Sequence, residues 1–379
     1  MDALELLCGD AQNFVEKLWA RRVHVHRSDS GELVGLLRLD DVDHLVTSTG
    51  LRTPALRLAK DGSVLPSSSF TRSATLAGAA VTGLLDVNKV LDLFESGATV
   101  VLQGLHRYWS PLTALTRDLE LALGHPCQAN AYLTPPESQG FALHSDTHDV
   151  FVFQTYGRKQ WELHDEAGVA EVLMESGTSM YLPAGTPHAA RTQDSASLHV
   201  TVGINRVSWR QVLDRAVRTV LTDPALDEPI PAGYLHDRAA FGAELGTRLS
   251  ALGESIGGCD PEKAASAEIE RFLSTRNAAV PGGLRDRLQV RSLDDDTRLR
   301  RRPGSVCLLV PTGDRLRILL GDRELRVPAR LREPLEHVRE HAELCPADLS
   351  PWLDEASRGV LARRLVVEGL LEVVARATP

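Results

Sequence analysis

With 379 residues, 43% of them hydrophobic and 25% charged, the composition is that of a soluble globular protein long enough for two or three domains. A formal net charge of −9 argues against nucleic-acid binding by the surface as a whole. Five scattered cysteines (8, 127, 259, 307 and 345) form no CxxC pair, and an odd number excludes a fully paired disulfide framework.

The chain opens on Met1-Asp-Ala-Leu-Glu5, acidic where a signal peptide is basic, and contains no apolar run of membrane-spanning length. A cytoplasmic location without membrane contact is expected. Residues 1–30 read as a helix and lead-in, with Leu4, Leu7, Phe14 and Leu18 forming an apolar stripe. From Gly31 to about Ile204 the pattern is one of short strands and Gly/Pro/Asp turns, interrupted by helices near 86–96 and 111–123.

Within that region stands Gly140-Phe-Ala-Leu-His144-Ser-Asp146, answered later by Leu182-Pro-Ala-Gly-Thr-Pro-His188. Alone, His-x-Asp is weak evidence in a chain with 13 His and 51 acidic residues. Its surroundings strengthen it. Asp149 to Leu163 reads as strand, Gly157 turn, strand; Ser179 to Leu182 leads into the Pro183–His188 turn; Ser197 to Ile204 alternates like a further strand. A turn delivering a histidine opposite a strand that carries His-x-Asp is how a jelly-roll barrel encloses a metal. His144, Asp146 and His188 then make a facial triad, with open positions suited to non-haem Fe(II) oxygenation. On a strand, residues 144 and 146 would project to one side.

Lys159 is the second signal. Only five of the 42 basic residues are lysines (17, 60, 89, 159 and 263), and one between Arg158 and Trp161 on a core strand supplies reach and a point charge. Projecting beside the metal, it would meet the distal carboxylate of 2-oxoglutarate. Without the metal motif it would read as an edge lysine with a solvated tip.

The ordered series Asn130-Ala-Tyr132-Leu-Thr-Pro-Pro-Glu-Ser-Gln-Gly140, His144-x-Asp146, Asp149-Val-Phe-Val-Phe-Gln154, Gly157-Arg-Lys159-Gln-Trp161 and Leu182-Pro-Ala-Gly-Thr-Pro-His188 resembles the JmjC-type cupins of the ribosomal oxygenase family over about residues 95–207. That family comprises Fe(II)- and 2-oxoglutarate-dependent hydroxylases of histidine or arginine side chains in ribosomal proteins. The resemblance implies iron on His144, Asp146 and His188, and Lys159 paired with the distal carboxylate of 2-oxoglutarate. It also implies that Tyr132 donates its phenol to that carboxylate, with Asn130 and Thr201 lining the pocket. Two departures bear on substrate identity: His144-Ser-Asp-Thr-His148 replaces a more acidic run, and Gly203 stands where a small hydroxyl residue is common. His148, on the strand parity of the triad, is read as a group supporting the ligands or a substrate contact in preference to a ligand. His199 is read equally as a barrel-facing group or a satisfied core histidine, and His106, His125 and His164 as structural or solvated.

The expected fold is α+β. A double-stranded β-helix (cupin) barrel over 31–207 is followed by a helical segment over 208–280 and a winged-helix-like domain over 281–379. In the helical segment Val212, Ala216, Val220 and Leu221 mark one helix, Phe241, Leu245, Leu249 and Leu252 another, and Pro261 starts a third. The resemblance implies that this segment forms a homodimer; packing onto the barrel is the alternative. After a charged connector at 285–297, strands at 306–310, 315–320 and 323–327 and helices at 334–341, from 350 and at 359–368 are expected. The basic cluster Arg298-Leu-Arg-Arg-Arg302 invites a nucleic-acid reading, which the neighbouring Asp294-Asp-Asp296 and the net charge oppose.

Three other functions stay open at this level. One is a 2-oxoglutarate oxygenase acting on a biosynthetic peptide or amino-acid unit in place of a ribosomal protein. The others are a cupin metalloenzyme that does not use 2-oxoglutarate and a non-catalytic scaffold. Histone demethylation is disfavoured, because no methyl-lysine aromatic cage is evident and aromatic residues are only 5% of the chain.

Overall fold

The computed structural model describes residues 2–138, 142–165, 168–276 and 280–374. Gly140 and Phe141, which open the first metal motif, lie outside the described residues. The chain divides between Arg206 and Val207 into two compact units. Among the described residues no helix is long and apolar enough to cross a membrane.

The first unit contains twelve strands among its described residues: β1 (His24–Arg27), β2 (Leu56–Lys60), β3 (Ser63–Val64), β4 (Thr71–Leu76), β5 (Ala79–Leu85), β6 (Thr99–Leu102), β7 (Cys127–Thr134), β8 (Asp149–Asp165), β9 (Gly168–Glu175), β10 (Thr178–Leu182), β11 (His188–Arg191) and β12 (Ser197–Ile204). Their order is β1-β10-β8-β12-β7-β6-β2-β3, with β9 and β11 flanking the far half of β8 and β4–β5 as a separate hairpin. All pairings are antiparallel.

β8 belongs to both sheets of the barrel. Its first half pairs with β10 and β12, its second with β11 and β9. The expected Gly157 turn is therefore a bend within one strand of 17 residues. Gly157 has φ +63°, and a Cβ there would stand 1.9 Å from the Ala196 carbonyl oxygen, so only glycine lets the strand bend against β12.

Alternation along the strands sorts side chains to two cores. Phe151, Phe153, Leu198, Val200 and Val202 join a cluster with Leu4, Leu7 and Phe14 near the N-terminus and Leu112, Leu115 and Leu119 from helix Ser110–Leu123. Val150, Val152, Trp161, Leu163, Met174, Met180 and Leu182 form a second cluster on the opposite face. Each fully buried large apolar side chain contributes roughly 1.5–3 kcal/mol.

The α+β class and the cupin architecture are as expected, and local details differ. Helix Leu39–Ser48 lies in a stretch read as strands, where Val42, Leu45 and Val46 face the core at helical spacing. The lead-in is a short helix, Ala3–Cys8, then a helical turn and β1. His144-Ser-Asp146 is not part of a strand. His144 makes only an isolated bridge with His188, and β8 begins at Asp149.

The second unit begins with helices Trp209–Val220, Arg238–Gly257 and Pro261–Ser274. The expected connector contains helix Gly283–Gln289. Two three-stranded sheets follow: β13 (Leu299–Arg301), β17 (Glu343–Leu344) and β18 (Leu371–Val373) in the order β17-β13-β18, and β14 (Leu308–Thr312), β15 (Arg315–Leu319) and β16 (Glu324–Pro328) as a meander. Helices Arg332–Glu340 and Glu355–Val367 close a core of Leu299, Leu316, Ile318, Leu335, Val338, Leu361 and Leu365.

Candidate metal centre

His144, Asp146 and His188 present their ligand atoms within 4.8 Å of one another. The backbone brings them together in two steps. His144 N–H donates to the His188 carbonyl at 3.1 Å, and His188 N–H returns the bond to His144 at 2.7 Å. Gly185 N–H then donates to the Asp146 carbonyl at 2.8 Å, tying the Pro183–His188 turn to the loop that carries Asp146. The loop is anchored by Asp149, whose buried carboxylate accepts from the Tyr181 hydroxyl at 2.9 Å and from Ala184 N–H at 2.7 Å.

Both imidazoles have the orientation that metal binding requires. His144 Nδ1 lies 2.8 Å from the Ala142 carbonyl and His188 Nδ1 2.9 Å from the Thr186 carbonyl. A carbonyl only accepts, so each Nδ1 carries the proton and each Nε2 keeps its lone pair. His188 Nε2 is 3.7 Å from Asp146 Oδ2. Burial pushes the His188 pKa down, favouring the neutral ring. Two neutral imidazoles and one carboxylate are the donor set of a facial triad, and the residues fit a divalent iron.

The triad borders a cavity of about 840 Å³ that also receives Lys159, Tyr132, Asn130, Thr201, Trp161 and His199. Lys159 is 4% exposed. Its ammonium donates to Thr134 Oγ1 at 3.0 Å, a hydroxyl that also accepts from Thr99 Oγ1 at 3.1 Å. Among the described residues no carboxylate pairs with it, and burial pushes its pKa down from 10.5 to about 7. An uncompensated ammonium at a cavity wall is an anion site in waiting.

Tyr132 is hydrogen-bonded to Thr201 and Arg57, and burial raises its pKa. Its ring stacks on His199 at 4.9 Å between centroids and 6° between planes. Register places Arg57, Val101, Tyr132 and His199 in one row across β2, β6, β7 and β12. Asn130, opposite Thr201, accepts from Gly104 N–H at 2.9 Å and so pins the loop after β6 to the cavity wall. His199 is buried at the cavity, and among the described residues its Nδ1 has no hydrogen-bond partner. His148 borders the cavity apart from the triad; its ring covers Gly203, where a Cβ would meet Nε2 at 2.5 Å.

Arg57, Arg107 and Tyr108, which the sequence does not single out, also line the cavity, as does His106, read there as structural or solvated. Arg57 had a readable signal. It interrupts Leu56 and Leu58, both fully buried, and alternation sends it to the opposite face of β2. His106 and Arg107 lie on a short turn that no periodicity announces.

Residues 112–212 match the JmjC domain family. A protein of Branchiostoma floridae named bifunctional lysine-specific demethylase and histidyl-hydroxylase NO66 is 33% identical over 163 residues, covering 41% of this chain and 27% of that protein. Ribosomal oxygenase 1 of Danio rerio is 30% identical over 164 residues, 37% of this chain and 30% of the relative. The chain thus spans less than a third of the length of these two curated relatives. The structure of YcfD, a ribosomal oxygenase from Escherichia coli, in complex with cobalt and succinic acid superimposes with a TM-score of 0.58 at 16% identity. It covers 97% of this chain and 99% of that one, and the two share the fold. The resemblance to JmjC-type cupins of the ribosomal oxygenase family read in the sequence is borne out.

Proposed function

We propose that this chain is an Fe(II)- and 2-oxoglutarate-dependent oxygenase that hydroxylates a histidine or arginine side chain of a protein, a ribosomal protein being the substrate its relatives suggest. The observation that carries the reading is the buried ammonium of Lys159, unpaired by any carboxylate among the described residues, sharing one cavity with the triad. A cupin that did not use a dicarboxylate would have no use for that buried charge. A relative's name includes histidyl-hydroxylase, and YcfD structures hold cobalt with succinic acid or 2-oxoglutarate.

His144, Asp146 and His188 would hold the iron, and Lys159 and Tyr132 would take the distal carboxylate, with Asn130 and Thr201 shaping the wall between. Iron in such a ligand set, together with 2-oxoglutarate, supplies the oxidising power. The balance is one substrate C–H, one dioxygen and one 2-oxoglutarate giving one C–OH, succinate and carbon dioxide. The substrate and the oxo acid each surrender two electrons to dioxygen. The protein fixes orientation and excludes water: Lys159 and His199 are almost wholly buried, and Trp161 screens His188 at 5.7 Å between rings.

The same reading assigns residues 208–280 to homodimer formation, in keeping with exposed Trp209, Leu213 and Leu249 on helices there. It assigns 281–379 to a winged-helix-like interaction module and the protein to the cytoplasm.

Anaerobic titration with Fe(II) and 2-oxoglutarate, following the visible charge-transfer band, tests the core of this reading. A band in the wild type that weakens in Lys159→Ala is expected. Iron bound with no band would point to a cupin independent of 2-oxoglutarate, and no iron binding to a scaffold. Formaldehyde release from methylated peptides would favour demethylation over hydroxylation.

A further inference from the structure

The second unit carries two histidines for which the oxygenase reading has no use. Helix Arg332–Glu340 ends on His337-Val-Arg-Glu-His341, two imidazoles one helical turn apart. Residues i and i+4 share a helix face, and that spacing lets two imidazoles chelate one ion. The rings are already gathered, their centroids 4.0 Å apart with 30° between planes. Two nitrogens each about 2.0–2.1 Å from one ion stand roughly 3 Å apart, a separation that a small turn of either ring supplies.

Further contacts prepare the pair. His341 closes the helix: its backbone N–H donates to the His337 carbonyl at 3.2 Å, and its ring Nδ1 lies 2.8 Å from the same oxygen. A carbonyl only accepts, so Nδ1 holds the proton and Nε2 offers its lone pair. Trp352 packs on His337 at 5.3 Å between ring centroids, and its Nε1–H donates to the Glu333 carboxylate at 2.7 Å. Glu333 precedes His337 by one turn, so a steadied negative charge shares the face of the two rings and favours a cation there. His341 is exposed and His337 partly buried, and neither belongs to the apolar core of this unit.

We propose that His337 and His341 form a second metal site, each giving one nitrogen to a borderline divalent cation of the Zn(II), Cu(II) or Ni(II) kind. Imidazole suits those ions, whereas Mg(II), Ca(II) and Mn(II) call for oxygen ligands. Among the described residues no third His, Cys, Asp or Glu completes a group within 4.8 Å here, so water fills the remaining positions. The site is therefore open and exchangeable, unlike a structural zinc enclosed by four protein ligands. It does not depend on the oxygenase reading.

Equilibrium dialysis of the full-length protein against micromolar Zn(II) tests this by counting bound ions. The wild type should hold one ion more per chain than His337→Gln or His341→Gln, each of which should weaken the site by more than about tenfold, the least that loss of an outer-shell partner costs. Because the readout is a difference, ions held by the triad cancel. A second measurement leaves both histidines intact. Cu(II) is added to His144→Ala/His188→Ala protein, whose triad has no imidazole left, and its electron paramagnetic resonance spectrum should show coupling to two nitrogens. Equal Zn(II) counts in the wild type and both variants overturn the proposal, and so does Cu(II) held through a single nitrogen. Absence of the charge-transfer band with 2-oxoglutarate would remove the oxygenase reading and leave this difference in Zn(II) count untouched.

Discussion

Lys159 and Thr134 meet across the barrel wall, the ammonium donating to a hydroxyl at 3.0 Å where an ion pair would be the usual arrangement for a buried charge. The fold tolerates this at a cost. The pKa of Lys159 is about 7 in the folded protein against 10.5 for the free side chain. Between those values the unfolded chain binds more protons, so stability of the ligand-free protein rises with pH across that window. Below about pH 7 both states are protonated and the full burial cost is present. Lys159→Met should therefore stabilise the ligand-free protein at about pH 6 by roughly 1–4 kcal/mol, an advantage that shrinks by about pH 9. Urea unfolding at the two pH values measures this; an equal gain at both would show that charge is not its source.

If Lys159 receives a carboxylate, the bound state needs the ammonium. Above pH 7 the free protein has largely lost that proton, so 2-oxoglutarate binding takes one up. Affinity should fall by up to about tenfold per pH unit above 7 until the bound-state pKa is reached. Calorimetric titration in phosphate and in Tris reads the proton uptake as a difference in apparent enthalpy. Identical enthalpies after correction for dilution would place the dicarboxylate elsewhere.

Asp146→Ala removes the one carboxylate of the triad while leaving the His144–His188 bridge in place. Iron affinity should drop by more than about 100-fold, beyond what loss of an outer-shell partner produces, and turnover should vanish with it. Equilibrium binding of Fe(II) and Co(II) checks the first point without any substrate. Retained affinity would remove Asp146 from the ligand set.

Gly157→Ala places a methyl group 1.9 Å from the Ala196 carbonyl at φ +63°. Left-handed strain and the clash together should cost roughly 2–5 kcal/mol. The denaturation midpoint should shift to lower urea with an unchanged slope. A midpoint within experimental error of wild type would mean that β12 yields easily at this contact.

The barrel was legible because its evidence is periodic or punctuated. Alternation in 197–204, the Pro183–His188 turn and the rarity of lysine each point to a position from the sequence alone. What stayed hidden was decided by tertiary contact. The strand bend at Gly157 looks locally like a hairpin turn, since nothing nearby reveals that Ala196 blocks a side chain there. Helix Leu39–Ser48 was lost among residues with mixed signals, although its Val42, Leu45 and Val46 spacing and the Asp41 side chain accepting from Arg38 N–H are helical marks. The place of His148 was misjudged in its premise: strand parity has no meaning at 144–148, where β8 has not begun.

The pair of backbone hydrogen bonds between His144 and His188 has a kinetic consequence. One event, the parting of an isolated two-residue clasp, separates two of the three proposed ligands at once. Release of a bound ion and local opening of this clasp would then be a single process, and occupancy would slow amide exchange at His144 and His188 by the factor 1 + [M]/Kd. Two backbone protons, one on a loop and one at the first residue of β11, become reporters of how long the metal stays.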